Sequence, residues 1–229
     1  MIPLQLPQII TAIGGLGTAA FGLVESTKAL GSGVNHIGLK GIKAAVIPLL
    51  PAGAPVAGVA VYALPQDKIL ATLEANWLNG TDLDSQKSIA KSLIKLNLSA
   101  GNAAEVAAAT GVDPVVLTAV ATSIAAGAPL TPAQSDVYAR FDLAVTALLD
   151  EAYQRSDQAY RNGMKAFAML VSVVLALAGG YMLHTTGSWG EDLAESLLVG
   201  LLATPLAPIA KDLSTALATA VNTLQLVKK

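Results

Sequence analysis

The chain has 229 residues, of which 53% are hydrophobic and only 13% charged, and its formal net charge is −2 at pH 7. A soluble domain carries about a quarter charged residues, so a mean hydropathy of +0.57 is too apolar for a soluble globule and points to a membrane. The absence of cysteine excludes disulfides, thiolate metal sites, cysteine nucleophiles and iron–sulfur clusters, and the lack of a long basic run argues against nucleic-acid binding.

Charge is segregated. Most charged residues lie between Gln66 and Lys165, and the two ends hold four long uncharged stretches. The first, Met1 to Val24, is long enough to cross about 30 Å of hydrocarbon as a helix. It has no basic leader, so it reads as a retained segment rather than a signal peptide. Gly14, Thr18 and Gly22 recur every four residues, with Gly15 and Ala19 beside them. Such a small-residue ridge is a helix-contact face, serving packing within one subunit or between subunits. Glu25 and Lys28 follow at i, i+3 and suit a local pair.

Gly31, Gly33, Gly38 and Gly41 in GSGVNHIGLKG match neither a dinucleotide fingerprint nor a P-loop. The segment reads as a flexible connection. The second uncharged stretch, Ala44 to Gln66, contains Pro48, Pro51 and Pro55. Three prolines in eight residues cannot sit in one regular helix. The stretch is either a full crossing with its helix starting near Pro55 or a re-entrant segment, and the full crossing is preferred on span length. Under that choice Lys28, Lys40 and Lys43 face outward, against the positive-inside rule.

The polar middle reads as capped helices. Pro65 opens one that closes at Gly80, and a second covers Ser85 to Leu96. Asn102 and Glu105 have capping-box spacing before a short helix ending at Gly111. Asp113 and Pro114 start another, stopped by Gly127. Thr131, Pro132 and Gln134 open the longest. Nothing after them compels a break, so this helix is expected to run from Pro132 to Leu183, about 75 Å at the standard rise. Val137, Phe141, Val145, Leu148 and Ala152 form one stripe on it. Packing on the other central helices is the favoured use of that stripe, and a seam between subunits the other.

The third stretch, Ala166 to Gly190, is the clearest transmembrane helix, with Tyr181 and Trp189 suited to an interface. The fourth, Ser196 to Ala210, is short and carries Pro205 and Pro208, which favour a kink. Beyond it, Leu213, Leu217, Val221, Leu224 and Val227 give an uncharged amphipathic tail able to lie on a membrane or line a pore. Lys211 and Asp212 divide the two, as interface charges or as a pair at the end of a pore.

Arg155, Arg161 and Lys165 precede the third span, the loop after it has no Lys or Arg, and Lys228 and Lys229 end the chain. The positive-inside rule places the central domain and the C-terminus in the cytoplasm, with a bacterial inner membrane as the expected location. His36 and His184 lie apart with no ligand cluster, so no metal site is expected. No nucleophile elbow or paired-acid motif supports catalysis, and no cofactor is expected.

The resulting expectation is an all-α, multi-pass helical membrane protein with a helical cytoplasmic domain and a long helix continuing into the third span. Residues 1–65 form an N-terminal membrane hairpin, 66–164 a helical soluble domain and stem, and 165–229 a C-terminal membrane hairpin with an amphipathic tail. The expected role is a non-enzymatic, self-associating membrane anchor or scaffold whose helical domain docks a protein partner. The alternative is a homo-oligomeric channel lined by the proline-rich second segment or the last helix.

Overall fold

The computed structural model describes residues 6–26, 34–51, 64–183 and 189–205. Among them 87% are helical and none is in a strand, so the all-α class holds. In chain order the elements are α1 (Leu6–Ser26), α2 (Val34–Val46) with a 3-10 turn at Ile47–Leu49, α3 (Gln66–Leu78), α4 (Leu83–Asn97), α5 (Ala103–Thr110), α6 (Pro114–Ala125), α7 (Pro132–Leu183) and α8 (189–205). The chain divides into two compact units. One is Asn35–Tyr160, and the other joins Met1–Val34 to Arg161–Lys229.

Local chemistry sets most helix ends in the Asn35–Tyr160 unit. Asp113 Oδ1 accepts from the backbone N–H of Val115 and Val116, both at 2.9 Å, and Pro114 supplies a preset first turn. At the start of α7 the capping box closes in both directions. Thr131 N–H donates to Gln134 Oε1 at 2.8 Å, and Gln134 N–H donates to Thr131 Oγ1 at 3.3 Å. Gly80, Gly111 and Gly127 all take positive φ, each just past a helix, where only glycine enters the left-handed region without strain. One expected cap does not form. Asn102 precedes α5 but caps nothing with its side chain. Its amide donates to Asn97 O at 2.8 Å, and its Oδ1 accepts from Ser99 N–H at 2.8 Å, so it ties down the α4–α5 turn instead.

The core of this unit gathers Ile42 and Val46 of α2, Leu49 and Leu50, Ile69 and Leu73 of α3, Ile94 of α4, Val106 of α5, Leu117 of α6, and Phe141, Val145, Leu149 and Tyr153 of α7. Burying each large apolar side chain contributes roughly 1.5–3 kcal/mol. Of the stripe read on α7, Phe141 and Val145 are fully buried, and Val137 and Leu148 pack half-buried on the core. The buried line continues through Leu149 and Tyr153, with Ala152 buried as well.

The stretch around residues 34–51 departs from expectation. Part of the glycine-rich segment is helical: Gly38 and Gly41 lie in α2, as does His36, while Gly31 and Gly33 lie outside the described residues. The second stretch does not open a bilayer crossing at Ala44. Val46, Leu49 and Leu50 are buried in the core, Lys43 pairs with Glu74 of α3 at 2.7 Å, and Gln66 Nε2 donates to Leu50 O at 3.1 Å. Residues 52–63, on which the rest of the expected crossing falls, lie outside the described residues. The compact units divide after Val34 and after Tyr160.

Candidate membrane-facing and docking surfaces

In the unit containing the chain ends, side-chain size sorts by direction. The C-terminal part of α7 buries Ala168, Ser172 and Ala176, spaced four apart, while Leu170, Val174 and Met182 are 58%, 57% and 84% exposed. On α8, Ala203 and Thr204 are buried, and Leu193, Leu197, Leu198, Leu201 and Leu202 are exposed. The two helices meet through small residues. A Cβ at Gly200 would stand 2.6 Å from Val173 Cα and 3.1 Å from Ser172 O, and one at Gly180 would collide with Ser196 Oγ. Ser172 and Thr204 share a buried hydroxyl–hydroxyl hydrogen bond at 3.1 Å. The Tyr181 and Trp189 rings, near the end of α7 and at the start of α8, stand 5.6 Å apart.

A water-soluble fold hides large aliphatic side chains and shows polar ones. Here the hydroxyls are inside and the leucines outside. This is the arrangement helices adopt in hydrocarbon, where small residues permit close approach and polar groups must bond within the protein. By length and composition, one described helix can cross a membrane, within Pro132–Met182. The apolar part described for α1, Thr11–Val24, is shorter, and α8 ends its described length at Pro205.

The small-residue ridge of α1 is only partly inward. Ile13, Gly14, Gly17, Ala20 and Val24 are buried, whereas Gly15, Thr18, Ala19 and Gly22 are exposed. Thr18 Oγ1 donates to Gly14 O at 2.9 Å, and a Cβ at Gly15 or Gly22 would meet nothing within 4 Å. Glu25 is in α1, but its side chain lies outside the description. Lys28, Lys211, Asp212, His184 and the tail from Leu213 lie outside the described residues, as does Pro55 with the remainder of the proline-rich segment. Most of the residues invoked for a pore therefore lie outside the described residues.

The Asn35–Tyr160 unit carries two features the sequence reading did not single out. The first is a ladder of ion pairs between α4 and α7. Lys87 meets Asp150 at 2.7 Å and Asp84 at 2.8 Å, while Lys91 and Lys95 meet Asp142 at 3.1 and 2.9 Å. Lys95 also stands 5.0 Å from the Tyr138 ring centroid. The hydrogen bond from Lys95 holds the Asp142 carboxyl below the usual carboxylate range, with Lys91 adding to it. Lys87 and Lys95 are raised, first by their bonds to Asp150 and Asp142 respectively. The signal was present as Lys87, Lys91 and Lys95 at four-residue steps and Asp142 and Asp150 eight apart.

The second is an open groove of about 620 Å³ between one face of α2 and one face of α7. Gly41, Ala44 and Pro48 line one wall, and Leu148, Ala152 and Ala159 the other, with Glu151 and Arg155 at the rim. Glu151 and Arg155 pair along α7 at 2.9 Å. Among the described residues no three His, Asp or Glu side chains come together as a metal site. No protein-family model, curated protein or solved structure matches the chain.

Proposed function

We propose that this chain is a non-enzymatic membrane anchor or scaffold that self-associates and presents its Asn35–Tyr160 unit to a protein partner. The observation that carries the reading is the inverted sorting of α7 and α8, with leucines outward and the Ser172–Thr204 hydroxyl pair inward. Such a surface is poorly solvated by water and well solvated by lipid. The exposed half of the α1 ridge supports self-association, because Gly15, Ala19 and Gly22 leave backbone open to close approach by another helix. In this reading α1 crosses the bilayer once and α7 crosses back from the cytoplasm. The membrane is the inner membrane of a bacterium.

Fractionation followed by native mass spectrometry in detergent tests both halves of the proposal. The full chain is expected to remain in membranes through an alkaline carbonate wash and to fly as an oligomer. Release into the wash would remove the anchor reading. A strictly monomeric spectrum, with nothing retained by the immobilised protein from a cell extract, would remove the scaffold reading.

A further inference from the structure

We infer that the groove between α2 and α7 is where two copies of this chain meet, an inference that rests on the self-association proposed above. The α7 wall recurs at Leu148, Ala152 and Ala159, spaced 4 and 7. That is the spacing of a helical seam that two chains share. The α2 wall is equally low, with Gly41 and Ala44 leaving backbone accessible. The α7 wall extends over about three helical turns, or roughly 16 Å, and the facing wall is of similar length when Ile37 is counted with Gly41, Ala44 and Pro48, long enough for a helix to lie in the groove and not merely touch it.

The charge at the rim selects the occupant. A small-molecule pocket places several polar groups to orient its ligand. This groove is walled by alanine, glycine, proline, leucine and isoleucine, with the Ser156 hydroxyl as its one uncharged polar side chain, and its ionised rim consists of one carboxylate and one guanidinium, four residues apart on α7. The Arg155 and Glu151 side chains are 80% and 61% exposed, so their bond to each other is a weak surface pair that exchanges readily. A rim with one charge of each sign is complementary to itself. A two-fold partner brings the same surface, which sets Glu151 of each copy against Arg155 of the other. A rim of a single sign would instead repel its own copy.

Full-length protein in detergent, carrying either Glu151→Arg or Arg155→Glu, tests the inference. Each single change places like charges across the two-fold contact, and association is expected to weaken about tenfold or more in a dilution series. Equimolar mixing of the two variants, one of them tagged, is expected to restore association, because an all-basic rim then meets an all-acidic one. Ala44→Trp, at an exposed position, fills the groove and is expected to weaken association without a charge change. Helix content by circular dichroism establishes that each variant is folded. Single-charge variants that stay oligomeric would overturn the groove as the contact while leaving self-association standing. Monomeric variants that fail to pair on mixing would also overturn it, since charge would then not be matched across the contact. An unaltered chain that is monomeric would remove both readings.

Discussion

Two glycines on the same helix carry different consequences. A Cβ at Gly38 would stand 2.8 Å from the Ser156 backbone carbonyl and would overlap the Trp77 ring. Neither a helix carbonyl nor a packed indole can move aside cheaply, so Gly38→Ala is expected to destabilise the folded chain by about 1–3 kcal/mol. That exceeds the gain of about 1 kcal/mol that alanine brings to a helix interior. At Gly41 the tight contact, at 2.6 Å, is with Ser156 Oγ, the end of a side chain that can rotate. Gly41→Ala is accordingly expected to fall within about 1 kcal/mol of the unaltered protein. Thermal melts of both variants check the ordering, and a Gly38→Ala protein as stable as the parent would show that α2 does not seat as closely as it does here.

Tyr153 gives a second residue-scale expectation. Its ring is fully buried, its hydroxyl has no hydrogen-bond partner, and burial pushes its pKa from 10.0 up to about 12. A raised folded-state pKa means that this stability is fully present below the unfolded value near 10. It is then lost as pH rises from about 10 to 12. The loss amounts to roughly 2–3 kcal/mol. Tyr153→Phe removes both the unpartnered hydroxyl and the titration. It is expected to be neutral or stabilising at pH 7 and to keep more of its stability at pH 11 than the parent does. Denaturant midpoints at the two pH values measure this.

At the scale of elements, the α4–α7 ladder adds specificity more than strength. The side chains of Lys91, Lys95 and Asp142 are each about a third exposed, where solvent screens an ion pair to roughly 1 kcal/mol or less. The depressed pKa of Asp142 places its contribution above the ordinary carboxylate value near 3.9, and that contribution is lost as pH falls through the folded value. The raised pKa of Lys95 acts in the other direction: its contribution is present below about 10.4 and lost as pH rises through the folded value. Asp142→Asn is thus expected to cost about 1 kcal/mol near neutrality, with the difference from the parent shrinking in 1 M salt and vanishing once the pH falls below the folded value of the carboxyl. A urea titration at several pH values gives the profile, and a difference that persists unchanged in acid would mean the carboxylate is not what holds α4.

How legible these elements were depended on whether their signals were local. Asp113–Pro114, the Thr131–Gln134 box and the glycines at 80, 111 and 127 act over one turn, so the pattern alone marked those helix ends. The continuity of α7 past Gly163 was likewise readable, since a single glycine costs only about 1 kcal/mol in a helix. The helix α2 was not readable, because its glycines lower local helix propensity while the contacts that compensate come from Trp77 and Ser156, far along the chain. The burial of Val46, Leu49 and Leu50 was hidden in the same way: an apolar run beside prolines looks alike whether lipid or a protein core receives it. The groove inherited that difficulty, since one of its walls is α2.

For the molecule as a whole, assigning residues 34–51 to the polar unit resolves a conflict in the charge pattern. With a full crossing after Ala44, Lys40 and Lys43 would face away from Arg155, Arg161 and Lys165. The Lys43–Glu74 pair ties α2 to α3, so Lys40 and Lys43 lie in the same unit as Arg155. Every basic cluster flanking a span can then be cytoplasmic, as the positive-inside rule requires. This predicts a topology in which the N-terminus and the α7–α8 turn face outward and the Asn35–Tyr160 unit faces inward. The chain has no cysteine, so single cysteines can report on it without background. Val115→Cys lies at an exposed position in α6, and Trp189→Cys at an exposed position at the start of α8. In intact cells or spheroplasts a membrane-impermeant maleimide is expected to label Trp189→Cys and not Val115→Cys, and permeabilisation is expected to make Val115→Cys reactive. Equal labelling of both from outside would mean that the basic residues before the α7 span do not set its direction.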